Sequence, residues 1–244
     1  MKRRVIVVLT ALLIAACGKL AIAPQQPSPP PGPPKLIWSG QSAGFTIRWT
    51  ASDIIASPVG APTHELLSGL GLTIFDFHII SHQQSSDCDF VRVMQLQSVV
   101  GPIVSLQDDD TMKCTNGATG LGRKVVAVDL THPGQPASLS EFFSPTQLAP
   151  LLTRAAHACT SKVPDLARRF SFVSLEAKDV TVRLTLPPGC STPNVDAPLP
   201  VPAKLRAPLV LAASRKQGFL AGEQAKISGG QTTTINYHYR LNGT

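Results

Sequence analysis

Proline sets the first limit on what this chain can become. The 244 residues contain 22 prolines. Each lacks an amide donor and holds φ near −65°, so long helices and central strands are confined to the windows between them. The pattern favours short strands with irregular connections. Seven prolines fall between Pro24 and Pro34, in PQQPSPPPGPP, a stretch too poor in apolar side chains to bury a core. Such a segment takes up extended polyproline II and, at about 3.1 Å per residue, spans roughly 35 Å as a semi-rigid spacer.

Ahead of the spacer, residues 1–17 read MKRRVIVVLTALLIAAC. Lys2, Arg3 and Arg4 make a basic start and Val5 to Ile14 an apolar run broken only by Thr10, the layout of a signal peptide. The run falls well short of the roughly 20 residues that crossing a hydrocarbon core demands. Ile14-Ala15-Ala16-Cys17 resembles the lipobox of bacterial lipoproteins rather than an A-x-A site. That resemblance implies cleavage before Cys17, diacylglycerol on its thiol and acylation of the new amino terminus. Gly18, rather than Asp, implies the outer membrane, facing the periplasm, where the organism has one. Several acyl chains make such anchoring stable, so the membrane is an expected partner through lipid.

Loss of residues 1–16 removes three basic side chains and no acidic ones, taking the formal charge from +7 to about +4. The remaining charge is scattered, with no stripe of the sort nucleic-acid binding needs. Beyond Cys17 the cysteines are Cys88, Cys114, Cys159 and Cys190, an even number in an exported chain, so disulfides are expected. None sits in a C-x-x-C pair, and the three pairings open to four cysteines stay open on spacing alone. Loop-closure entropy favours neighbours, Cys88 with Cys114 and Cys159 with Cys190.

Periodicity gives the elements. Phe45–Thr50 alternates, with Phe45, Ile47 and Trp49 on one side, and reads as a strand; Ser52–Ile55 reads as a short helix. Leu72–Ile80 is a further strand candidate. Phe90–Val100 and Ile103–Leu106, split by Gly101-Pro102, read as a meander continued by Arg123–Leu130, whose two sides are too mixed to assign. Ser144-Pro145-Thr146-Gln147 is a capping box with proline at the first helical position, and Phe143 and Leu148 are spaced for a hydrophobic staple. The helix shows Leu148, Leu151, Leu152 and Ala155 on one face, is expected to break or kink near Pro150, and ends between Cys159 and Lys162. Phe170–Leu175 and Asp179–Leu186 read as paired strands, 187–208 as irregular, Leu209–Ala213 as a strand, Ser214–Thr234 as loose, and Ile235–Leu241 as an edge strand.

Known catalytic and ligand motifs are missing. His64-Glu65 is followed by Leu-Leu-Ser, so H-E-x-x-H fails, and there is no G-x-S-x-G, P-loop or dinucleotide fingerprint. His78 and His82 lack a marked third ligand. Asp108-Asp109-Asp110 lacks calcium-loop spacing and reads as a solvated loop. No catalytic residue, metal or cofactor is therefore assigned.

Four stretches occur in order: SVVGPIVSL at 98–106, TNGATG at 115–120, AVDL at 127–130 and SLSEFF at 138–143. Together they resemble the extracytoplasmic domain of lysozyme-sensing anti-sigma factors, also found beside some peptidoglycan deacetylases. That family has a glycine-rich G-G-A-H loop. Here Asn116, Gly117, Ala118 and Thr119 stand in its place, followed by Gly120, so the first glycine and the imidazole are both replaced. The match covers about 45 residues closely and about 120 loosely. It implies a non-enzymatic envelope module that binds an external lysozyme-like protein or cell-wall glycan through residues 116–120, with a muramidase or peptidoglycan as partner. The alternatives are an envelope hydrolase or deacetylase, and a structural assembly lipoprotein.

The expected organisation is a signal peptide (1–16), a lipidated amino terminus and tether (17–36), an α+β domain (37–213) and a polar extension ending in an edge strand (214–244). The domain is a mostly antiparallel twisted sheet with one main packed helix. Replacing Cys17 by Ala is expected to abolish labelling by a fatty-acid probe; full labelling of that variant would overturn the lipidation reading.

Overall fold

The alternation that marks residues 45–50 is an inner strand of a small sheet. β1 (Leu36–Ser42), β2 (Phe45–Thr50), β3 (Ile54–Pro58) and β4 (Leu67–Ser68) pair in that order, all antiparallel. This comes from a computed structural model, which describes residues 33–72 and 86–241. The Leu72–Ile80 strand candidate, His78, His82 and Cys17 lie wholly or almost wholly outside the described residues.

The central sheet is built on a long hairpin, β5 (Ser86–Val100) and β6 (Ile103–Cys114), turned by Gly101-Pro102. β7 (Thr119–Asp129) lies on the far side of β6. α1 (Pro145–His157) follows, and then a three-stranded antiparallel sheet of β8 (Phe170–Leu175), β9 (Asp179–Thr185) and β10 (Asn194–Pro200), ordered β10-β9-β8. α2 (Ala203–Ala213) and the short α3 (Gln224–Ser228) lead to β11 (Thr233–Leu241), which returns to pair with β5 and makes the central order β11-β5-β6-β7. The fold is α+β with antiparallel sheets.

Both faces of the central sheet are covered, which explains the mixed pattern of residues 123–130. On one side Met94, Leu96, Val104, Leu106 and Val126 pack with Ile47, Trp49 and Ile54 of the first sheet. On the other, Val100, Ile103 and Ala127 join Leu148 and Leu151 of α1, Phe170, Phe172 and Val182 of the third sheet, and Leu205 and Leu209 of α2. A bulge at Gln97, between the Leu96↔Leu106 and Ser98↔Ser105 pairs, resets the alternation. Val99 then faces the first core, and Ser98 turns to the second, where its Oγ accepts the Phe172 amide.

Several expectations need correction. Ser52–Ile55 is a turn entering a strand, because Thr50 Oγ1 accepts the Asp53 amide and closes the chain there, and Ile54 and Ala56 are buried against the central sheet. α1 begins as expected at its capping box, with Phe143 and Leu148 both buried. It runs unbroken through Pro150, which lies on the exposed side where water can take the freed carbonyl, and it ends earlier, at His157. Leu209–Ala213 is helical, within α2, because Leu205, Leu209 and Ala212 recur at helical spacing against the second core. The stretch 187–208 contains β10, whose Ala197 and Leu199 are buried. Asp108-Asp109-Asp110 lies inside β6, not in a loop.

Residues 214–234 are packed rather than loose. Phe219 is fully buried, exchanges both backbone hydrogen bonds with Val99 and meets Trp38 edge-on at 5.0 Å. Thr233 Oγ1 accepts from Trp49 Nε1 and donates to the Thr50 carbonyl, tying β11 to the first sheet. The compact unit accordingly runs from Pro33 to Thr244. Phe219→Ala is expected to lower unfolding free energy by about 3–5 kcal/mol, the range for emptying a buried aromatic site. Urea denaturation measures this, and a loss below about 1 kcal/mol would show the segment to be an appendage.

Candidate functional site

The glycine-rich segment singled out in the sequence caps the long arm formed by β6 and β7. Asn116, Gly117 and Ala118 form its turn, while Thr119 and Gly120 already belong to β7. Asn116 Oδ1 accepts the Ala118 amide at 3.0 Å, and Cys114 N–H donates to the Ala118 carbonyl. Gly117 has φ +84°, a conformation that strains any side-chain-bearing residue. Cys88 and Cys114 are directly opposite in the β5–β6 register and are joined by a disulfide, so the tip is held at its root. The second disulfide joins Cys159 to Cys190. The two bridges place the domain in an oxidising environment outside the cytoplasm. Among the described residues no helix is long and apolar enough to cross a membrane.

The acidic triplet sits further down the same arm and is not the exposed rim that its sequence suggests. Asp108 and Asp110 are 2% and 5% exposed, because alternate residues of β6 point into the covered face. Arg92, itself 4% exposed, lies beside them on β5. Its Nε donates to Asp108 Oδ2 at 2.7 Å, and its remaining donors reach the carbonyls of Gly69, Leu70 and Leu72. Asp53 holds the same segment from the other side, accepting from the Leu70 amide and Ser68 Oγ. Burial pushes the Asp108 carboxyl up despite Arg92. Asp110 is pushed up to about 7, first by burial and then by repulsion from Asp108 and Asp109, against the pull of Arg92.

Asp110 opens onto a cleft of about 350 Å³ between the edge of β7 and the segments joined by Cys159–Cys190. Its cross-strand neighbour is Gly122, where a Cβ would sit 3.4 Å from Asp110 Cβ and 3.7 Å from Oδ2. Glycine leaves the carboxyl uncovered. Four cations line the cleft: Arg123 and Lys124 from β7, Lys162 after α1, and Arg169 before β8. Arg123 pairs with Asp109, and Arg169 donates to the carbonyls of Arg123 and Thr185, bridging the central and third sheets. Lys124 and Lys162 form no ion pair among the described residues. The far wall is rigid, since the disulfide is backed by hydrogen bonds from Ser191 N–H and Oγ to the Ala158 carbonyl.

No family model, curated protein or solved structure matches the chain significantly. Among the described residues, no three His, Cys, Asp or Glu side chains are grouped to hold a metal ion. The structure thus brings Asn116–Gly120 together at one tip, while Lys124, Lys162 and Arg169, none chosen from the sequence, form the cleft with Asp110, which the sequence placed in a solvated loop. The signal for Asp110 was the alternation Leu106, Asp108, Asp110, Met112, which carries the strand of residues 103–106 through the triplet.

The sign of the Asp110 effect is fixed. Its folded carboxyl holds its proton more tightly than an unfolded aspartate with a pKa near 4, so stability falls as pH rises from about 4 to about 7. Asp110→Asn is expected to match the parent chain near pH 4 and to be more stable at pH 8 by on the order of 2–4 kcal/mol. Thermal melts at the two pH values measure this; equal melting at pH 8 would remove the buried-carboxyl assignment.

Proposed function

We propose that this chain is a non-catalytic binding module of the bacterial envelope, carried on lipid at Cys17 and a proline tether, with the β6–β7 tip as its contact with an external muramidase or with peptidoglycan. The observation that carries the reading is the tip itself. It is an exposed hairpin end stiffened by a disulfide, an Asx turn and a left-handed glycine, so a partner meets a surface whose conformational entropy is already lost. Loops on a rigid sheet commonly serve recognition. The ordered resemblance of residues 98–143 to a muramidase-sensing and wall-associated family supports the choice of partner.

Binding is favoured over hydrolysis for two reasons. Thr119 stands where the resembled loop has histidine, which keeps hydrogen bonding but supplies no group that transfers protons near neutral pH. The cleft is lined by one carboxylate, Asp110, whereas glycoside cleavage uses two flanking the bond.

The test is co-sedimentation of the full chain with purified peptidoglycan and, separately, capture of lysozyme. Gly117 is a poor place for a bulky probe because of its backbone conformation. Thr119 is exposed at the base of the turn, and Thr119→Trp is expected to reduce capture about tenfold while leaving the melting temperature unchanged. Undiminished capture by the folded variant would move the contact surface elsewhere, and no capture of either partner by the parent chain would end the reading.

A further inference from the structure

We propose that the cleft beside β7 is a second binding site, separate from the hairpin tip, that takes a short extended peptide bearing carboxylate side chains. Three features of the cleft converge on that ligand, and none depends on what the tip captures.

The first is charge. Lys124 reaches the cleft from β7, across the ladder from Asp108, and Lys162 from the loop after α1; neither forms an ion pair among the described residues, while Arg123 and Arg169 add positive potential from a half-buried wall. Cations gathered in a concave, partly dry surface attract anions more strongly than the same cations spread over a convex one. The single carboxyl in the cleft, Asp110, accepts a proton most readily where an anion would need it neutral.

The second feature is backbone. β7 is the last strand of the central sheet, and Arg123 and Ala127 turn their carbonyls outward, where Arg169 and the Ala137 amide take them. Alternation in an antiparallel ladder then turns the N–H and C=O of Leu121 outward as well. Leu121 has no such partner and is 69% exposed. An extended peptide can pair there, in the manner of strand addition. The Arg169 bridge stops it from running further along the edge, so the ligand is short. The third feature is volume: about 350 Å³ suits a few residues, not a folded partner.

Binding is coupled to a proton. The charges acting on Asp110 are Arg92 from β5 and Asp108 and Asp109 from its own strand, and the cleft it helps to line also holds Arg123, Lys124, Lys162 and Arg169. Ionisation of Asp110, whose pKa is pushed up to about 7, puts into the cleft a negative charge that a bound carboxylate feels. Affinity therefore falls as pH rises through 7.

The test uses the full chain in detergent and dye-labelled pentapeptides of alternating valine with glutamate, glutamine or lysine, followed by fluorescence anisotropy. The glutamate peptide is expected to bind at pH 6, about tenfold more tightly than the glutamine peptide, with the lysine peptide weaker still. Lys124→Gln and Lys162→Gln are each expected to weaken it about three- to tenfold. N-methylation of the central peptide bond should weaken it as well, which attraction between charges alone would not produce. Raising the pH to 8 should weaken binding about tenfold in the parent chain and leave Asp110→Asn unchanged. Equal binding of glutamate and glutamine peptides, or full affinity in a folded double-lysine variant, would overturn the proposal. Thr119→Trp is expected to bind the glutamate peptide normally, so failure of the cleft and failure of the tip are read separately.

Discussion

The β5–β6 hairpin is covered on both faces near its turn and on one face along its outer half, and much of the molecule follows from having to satisfy what that covered face buries. A strand with one wet face can place its charges there. Register puts Arg92, Asp108 and Asp110 on the covered face instead, so each charge has to be met inside the protein or neutralised. Arg92 meets Asp108 and three carbonyls of residues 69–72, fastening the segment after β4 onto the central sheet. Asp108 Oδ1 keeps no partner among the described residues, and Asp110 is left to the cleft. The acidic excess is thus what gives the cleft a carboxyl that holds its proton near neutrality. The same interaction that locks two sheets together supplies the chemistry at their edge.

Closure of the fold depends on contacts between distant parts of the chain. The Trp49–Thr233 hydrogen bond spans 184 residues, and Phe219 seals the first core against Val99 and Trp38. Long-range pairing of this kind has to overcome loop-closure entropy before it gains anything. The two disulfides each close a loop within one supersecondary unit, Cys88–Cys114 across a hairpin and Cys159–Cys190 between the end of α1 and the turn after β9. They reduce the entropy to be lost locally, while β11 joins the sheet through backbone pairing with β5.

Legibility from sequence tracked the distance over which each residue finds its partner. The strand at 45–50, the Gly101-Pro102 turn, the capping box at Ser144 and the strands at 170–186 are all governed by neighbours within a few positions, and each stands where its pattern puts it. The segment 203–213 was opaque because Pro208 argues locally against a helix, whereas Leu205, Leu209 and Ala212 find their partners in a core formed by strands over thirty residues away. Asp108–Asp110 was opaque for a related reason. Three acids in a row favour solvent unless a cation is buried next to them, and Arg92 becomes adjacent only through cross-strand register. The tip at 116–120 was legible as a turn, since Asn and Gly report backbone geometry directly. The cleft was not, since its walls come from five separated stretches.

The tip and the cleft also differ in what the fold allows them to do. The tip carries no ionisable side chain between Thr115 and Gly122, so what it presents is shape and hydrogen-bonding groups. The cleft is the reverse, with fixed cations around one carboxyl that titrates near 7. Leu121 belongs to both neighbourhoods, following the tip along β7 and lining the cleft, between the disulfide-held root of the hairpin and the Arg169 bridge.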